Sequence, residues 1–552
     1  MKKIVAVLLS MSFVLGLVAC TKETEETKKK KKKKKSTTTE TIESTEEPSD
    51  TSETGETEIT TTTDPSVTDP ENEFEDVLVY DDSLWKIYYE MNHIDRAYGV
   101  TDPNSEENYG IPMNVGVYEY VDYIDFDTNL MMEFFDSVNG VFDDAKDIYD
   151  RAYAENLSKF LDDIDEGNEL SGVHLSFRTM VTRADSGFFS MVTTEYDPQD
   201  YKVYRTSYNY CAACGREITF DDVVEDREGL RSLVYDQLAN AVNNYYKPTT
   251  LLDQISDGTA QFTLSYDGIY LYEENTYAVV KVSAIGNPDL FNMGYFGRTP
   301  QSYVLQFGVD NKLFWDLDGD GSTDVLELDL ESYDAYEFSP ITFVLNGTPV
   351  YTASTDIDDE LYGSFETAYF FETGNEKFVF ITTLIEDDYE YQFIFRMNDD
   401  GSFEYVGPCY LEFADIPYDP INVNMLIHTD IVGTYFDTAT FSFVDTDGEA
   451  VCWNSMIPRS GRVLVMNQGI IGTLLDDDLR PQGDKEVPIG SSVRVVGYEK
   501  IGEDDAHVFL EVLFPNSREN YTVVVDFSCE SWPGKIDGID VTDLFTGIQY
   551  AG

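Results

Sequence analysis

The sequence predicts an α+β domain followed by a β-rich region with a calcium-loop hairpin and an SH3-like barrel at the C-terminal end. Three observations carry that reading: two early segments with helical apolar spacing, a strand-like alternation between and after them, and a second half made almost wholly of short apolar segments separated by turn residues. The first helix is written by Ala145, Ile148, Tyr149, Ala152, Leu157, Phe160, Leu161 and Ile164, which share one face of a 3.6-residue period. A strand follows, with Val173, Leu175, Phe177 and Val181 alternating against His174, Ser176 and Arg178. Further strands run through 188–195 and 201–210. Leu230, Leu233, Val234, Leu238, Val242 and Tyr245 mark a second helix. A hairpin is then expected across Phe262–Tyr266 and Ile269–Tyr272, because Asp267-Gly268 supplies a tight turn. Helices and strands mix here without a regular βαβ order.

Beyond residue 311 the expected strands are Thr342–Leu345, Ala368–Phe371, Phe378–Thr383, Tyr391–Met397, Thr440–Val444, Arg462–Val465 and Val493–Tyr498. Their spacing suits a sandwich, a barrel or an irregular propeller-like sheet. Val487-Pro-Ile-Gly490 opens a run of short strands that reads as the SH3-like unit. The chain therefore divides into a leader at 1–19, a tether at 20–75, an α+β domain at 76–311, a β-rich region at 312–475 and a small β domain at 476–552.

The leader sets the expected compartment. Lys2 and Lys3 precede an apolar run from Ile4 to Ala19, which is shorter than the roughly 20 residues a membrane span needs. It has the form of a secretory signal peptide, and Leu17-Val18-Ala19-Cys20 resembles a bacterial lipobox. Lipidation at Cys20 would anchor the protein on the outer face of the cell membrane. Thr21 to Glu75 holds too few large apolar residues to offset the entropy of ordering. Its unbroken lysine run, Lys28 to Lys35, suits contact with an anionic bilayer or wall polymer. From residue 76 onward the chain carries 89 Asp and Glu against 26 Lys and Arg. That excess excludes nucleic acid as a partner of the folded part and favours cations or basic proteins.

Asp316-Leu-Asp318-Gly-Asp320-Gly321-Ser322-Thr-Asp324-Val-Leu-Glu327 places oxygen donors at alternate loop positions around a glycine, the pattern of a calcium loop. Asp316, Asp318, Asp320 and Asp324 supply carboxylates, Ser322 a backbone carbonyl, and Glu327 the position of a bidentate ligand. The flanks alternate as strands do, so the loop joins a hairpin, and its calcium would be structural. The competing reading is a hydrated acidic turn. Cys211 and Cys214 form a C-x-x-C pair in a turn; with no second pair or nearby histidine, a disulfide is expected. Cys409, Cys452 and Cys529 have no assigned pairing.

The stretches Val181-Thr-Arg-Ala-Asp-Ser-Gly-Phe-Phe-Ser190, Tyr208-Asn-Tyr210 and Gly215-Arg-Glu-Ile-Thr-Phe-Asp-Asp222, followed by the second helix and the hairpin, resemble the extracellular domain of the RsiV-like, lysozyme-sensing anti-sigma factors. Peptidoglycan deacetylases carry that domain as a non-catalytic module. The resemblance covers about Tyr80 to Asn311 and implies a binding domain of that fold. Where the family has an Asp-, Thr- and Gly-rich turn, this chain has Cys211-Ala-Ala-Cys214, and it lacks the cytoplasmic segment and transmembrane helix of an anti-sigma factor.

No nucleophile, zinc or nucleotide motif is present, and the four histidines, His93, His174, His428 and His507, are scattered. The expected function is a cell-surface binding module for a lysozyme-like cationic protein or a cell-wall component. The alternatives are a glycan-active enzyme using paired carboxylates and a structural surface spacer.

Overall fold

The computed structural model describes residues 84–550 apart from 99–113, 126–131, 167–173, 198–201, 241–248, 274–278, 310, 331–340, 353–363, 385–389, 447, 453–455, 460–462, 477–478, 503–504, 514–519, 530–531 and 549. The expected signal peptide, Cys20, the lysine run and the expected tether lie outside the described residues.

The α+β expectation is overturned. Strands take 53% of the described residues and helices 18%, in many small sheets with five helices. The helical periodicity does build α1 (Met132–Glu166) and, after the one-turn α2 (Phe220–Val223), α3 (Arg227–Asn240), the expected Val242 and Tyr245 lying outside the described residues; α4 (Thr249–Asp257) and the one-turn α5 (Val541–Leu544) complete the described helices. Sequence patterns understate the strands because many are buried on both faces and so do not alternate.

Strands β1 (Tyr88–Tyr98), β2 (Asn114–Asp125), β3 (His174–Ala184), β4 (Phe188–Asp197) and β5 (Lys202–Cys211) make one sheet in chain order, antiparallel except where β2 meets β3. Helix α1 lies on it through Phe134, Val138, Phe142, Tyr149 and Tyr153, which pack with Tyr118, Leu175, Phe189 and Met191. Tyr118 Oη also donates to the Phe142 carbonyl at 2.6 Å. A three-stranded sheet, β6 (Gln261–Leu264), β7 (Gly268–Tyr272) and β8 (Val279–Ser283), packs beside β3 to β5. Its edge strand β6 would leave backbone groups unpaired. Side chains of the neighbouring sheet supply partners: Thr182 donates to the Leu264 carbonyl at 3.0 Å, Leu264 N to Ser190 at 2.8 Å and Asn209 to the Phe262 carbonyl at 2.9 Å.

Strand β9 (Tyr303–Phe307) precedes a four-stranded antiparallel sheet of β10 (Leu313–Trp315), β11 (Asp324–Leu330), β12 (Ile341–Leu345) and β13 (Thr348–Thr352). It pairs instead with β14 (Ser364–Glu372), at the edge of a second sheet that continues through β15 (Lys377–Leu384), β16 (Glu390–Met397) and β17 (Phe403–Cys409). One face of this sheet meets the β10–β13 layer through Phe343, Phe370, Ile381, Phe393 and Phe395. The other face meets later strands through Phe371, Phe378, Phe380, Phe413 and Phe443. Covering both faces explains the unbroken apolar run of β15.

A small sheet of β18 (Glu412–Phe413), β19 (Val423–Thr429), β20 (Tyr435–Ser442) and β21 (Val451–Cys452) follows. The last sheet has ten strands: β22 (Ile457–Pro458), β23 (Val463–Met466), β24 (Ile470–Leu475), β25 (Pro481–Val487), β26 (Ser492–Lys500), β27 (Asp505–Leu513), β28 (Tyr521–Ser528), β29 (Lys535–Ile536), β30 (Ile539–Asp540) and β31 (Phe545–Thr546). The expected SH3-like barrel is not shown: β24 pairs with β28 and β23 with β26 and β31, so these strands belong to one larger sheet. The buried ion pair Arg459–Asp437, at 2.6 Å, joins it to β20.

Candidate functional site

The hairpin of β10 and β11 presents the acidic loop. Trp315 pairs with Asp324 across the hairpin and is fixed beneath it, its Nε1 donating to Tyr303 Oη at 2.8 Å. The loop is tied by its own carboxylates. Asp316 accepts from Gly319 N at 2.9 Å and from Gly321 N at 3.0 Å. Asp318 accepts from Asp320 N at 3.0 Å, and Asp320 from Ser322 N at 2.7 Å. Both turns need glycine, since φ is +78° at Gly319 and +86° at Gly321. Asp324 is buried, accepting from Leu317 N at 3.0 Å and from Asn346 Nδ2 at 2.7 Å.

Carboxylate oxygens of Asp316, Asp318 and Asp324 lie within 4.8 Å of one another. Of the six residues expected to hold a cation, these three are brought together. Asp320 and Ser322 stand exposed on the outer turn, and Glu327, on β11, pairs with Lys312 at 2.8 Å. Asn346 was not foreseen; its signal was the Asn-Gly turn between β12 and β13, which places the Asn346 side-chain amide against Asp324, where its Oδ1 also accepts from Val325 N at 2.9 Å.

A second acidic group sits where the β14–β17 sheet meets β18. Glu366 occupies a bulge in β14, Glu390 opens β16 and Glu412 opens β18. Burial, reinforced by the Glu412 and Glu366 carboxylates, pushes the Glu390 carboxyl up to about 7. Burial also raises Glu412. Tyr410, largely exposed, stands edge-on to Tyr391 at 5.0 Å beside these strands. Nothing local in the sequence singles out these three among so many acids, because a bulge and a sheet-to-sheet contact bring them together.

Cys211 is buried and Cys214 exposed, both as free thiols within hydrogen-bonding reach of each other. Gly215 N donates to the Cys211 carbonyl at 2.8 Å, closing the turn, and burial pushes the Cys211 thiol up to about 12. Cys409 is buried, Cys452 exposed and Cys529 half-buried. His507 lies between Glu499 and Asp526 on a half-exposed strand face, and His428 packs against Phe436. The segments that carry the family resemblance form connected parts of one region. Asp185 accepts from Gly187 N at 2.7 Å and Phe188 N at 3.0 Å in the β3–β4 turn, and Thr219 and Asp222 cap α2.

No family model matches the chain, and no curated protein matches it. Its neighbours among solved structures are bacterial DUF3298 family proteins. One, from Bacteroides fragilis, is 14% identical with a TM-score of 0.25, over 37% of this chain and 94% of that one. Another, from Pseudomonas aeruginosa PAO1, is 12% identical with a TM-score of 0.23, over 38% of this chain and 97% of that one. Among the described residues no helix is long and apolar enough to cross a membrane.

Proposed function

We propose that the chain is an exported lipoprotein, acylated at Cys20, whose folded part is an RsiV-like extracellular binding module for a lysozyme-like cationic protein or a cell-wall component. The observation that carries this reading is the charge: 89 acidic against 26 basic residues from 76 onward, behind a lipobox-like leader and a lysine run suited to the membrane side. A field of that sign raises the encounter rate of a basic partner and weakens with salt. The test is retention of hen lysozyme by the purified protein at low and at high ionic strength. Stoichiometric, salt-sensitive retention is expected; no retention at low salt removes the lysozyme version. Lipidation is checked separately by incorporation of labelled palmitate, which Cys20→Ser should abolish.

Calcium belongs to the same proposal, in a structural role. Asp316, Asp318 and Asp324 would supply its first carboxylates, with Asp320 and the Ser322 carbonyl completing a hard-oxygen set. Glu327 is less suited, being held by Lys312.

A second reading, a glycan-active enzyme, draws on Glu390. A carboxyl raised to about 7 beside Glu412 and Glu366 has the character of a general acid next to a carboxylate. Glu390→Gln should abolish hydrolysis of a peptidoglycan or dietary glycan panel if this reading holds, and absence of any turnover by the native protein removes it.

A further inference from the structure

Lys281 and Asp267 are nearly sealed from solvent, at 8% and 1% exposed, and Lys281 Nζ lies 2.5 Å from Asp267 Oδ1. Asp267 stands in the turn between β6 and β7, and Lys281 lies on β8, opposite Tyr270. The backbone on the Asp267 side is fixed, because Ala284 N donates to the Asp267 carbonyl at 2.7 Å. The Lys281 ammonium sits 4.5 Å over the Tyr270 ring. Ser265, 3% exposed, touches both reacting groups: its hydroxyl donates to Asp267 Oδ1 at 2.8 Å and meets Lys281 Nζ.

We propose that Lys281 and Asp267 condense into an intramolecular isopeptide bond. The reaction needs a neutral amine. Burial lowers the lysine's affinity for its proton, and the Arg183 charge acts in the same direction, against the attraction of Asp267. With the proton passed to the carboxyl, Lys281 Nζ attacks Asp267 Cγ. The N–C bond forms, a C–O bond breaks, and Ser265 relays a proton from the nitrogen to the departing oxygen. The ion pair thus becomes one amide and one water, and no oxidant, reductant or cofactor is consumed. Amide formation is uphill for free groups in water. Here the groups are held in contact, where effective molarities reach on the order of 10⁵ M or more. Condensation also removes two buried charges whose desolvation is costly. The product would staple the β6–β7 turn to β8.

The experiment is peptide mapping of the full-length protein, purified folded, then denatured and digested with trypsin and a glutamyl endoproteinase, which cuts at Glu273 and Glu274 and so separates the Asp267 segment from the Lys281 segment. The expected result is a branched peptide joining the Asp267 and Lys281 segments, lighter than their sum by one water, with no cleavage after Lys281. Lys281→Arg, which keeps the charge but makes no amide under these conditions, should give only linear peptides. Ser265→Ala should slow accumulation of the branched peptide at least tenfold (a loss of relay rather than of contact). Full cleavage after Lys281 in the native protein overturns the proposal, whatever the variants do. So does a water loss confined to a linear peptide, which marks a cyclic imide at Asp267-Gly268 instead.

Discussion

At the scale of single residues, charge and burial make the sharpest predictions. If Asp316, Asp318 and Asp324 hold calcium, an ion present at a hundred times its dissociation constant adds about 2.7 kcal/mol to stability. Thermal melts should then fall by several degrees on adding a chelator, and Asp318→Ala should remove that response; identical melts with and without chelator reject the ion. Glu390 predicts a different pH dependence. Its carboxyl is raised from 4.5 to about 7 by burial and by Glu412 and Glu366. Between those values the folded state holds more protons than the unfolded state, so this residue's contribution to stability falls as pH rises through that window. Glu390→Gln should match the native melting temperature near pH 4.5 and exceed it by roughly 2–4 °C at pH 8. A constant difference across the range contradicts the assigned cause. The loop carboxylates were legible because their spacing is local. Glu366, Glu390 and Glu412 were not, since they lie on three strands and only tertiary pairing makes them neighbours.

At the scale of elements, turns are where sequence and structure agree most closely. The Asp267-Gly268 turn was expected from composition, and the structure adds the reason for its glycine: a Cβ at Gly268 would lie 2.0 Å from the Val282 carbonyl. Backbone on both sides leaves no route to relax. Gly268→Ala should therefore cost about 3 kcal/mol or more, readable in a urea melt as a lower midpoint with unchanged slope. The Cys211–Cys214 turn makes a second case. A disulfide closing so short a loop stabilises by about 2 kcal/mol in the chain-entropy account. Under the proposed export, the protein should show two fewer reactive thiols than the fully reduced protein, and reductant should lower its melting temperature by a few degrees. Equal thiol counts in the two states remove the bond. Helix α1 was legible for the reason turns are, a strong local period. The ends of β14 to β17 were not, because their edges are set by register with neighbours far along the chain.

At the scale of the molecule, the sequence announced a β-rich second half but not how its layers are shared. The deciding residues alternate along one strand: Phe380 faces the core built with the later sheets, and Ile381 faces the core built with the β10–β13 layer. The same division recurs on β16, where Ile394 and Phe393 point to opposite cores. A sheet that forms the wall of two cores cannot lose one packing surface and keep the other ordered, since its strands have no further layer to pair with. Residues from β9 to β31 should therefore unfold in one cooperative step. Phe380→Ala and Phe393→Ala, on opposite faces, should each cost about 3–5 kcal/mol. Both should shift the same calorimetric transition. Two transitions, with each substitution moving only one, would mean that the layers are thermodynamically separate and that the shared sheet does not couple them.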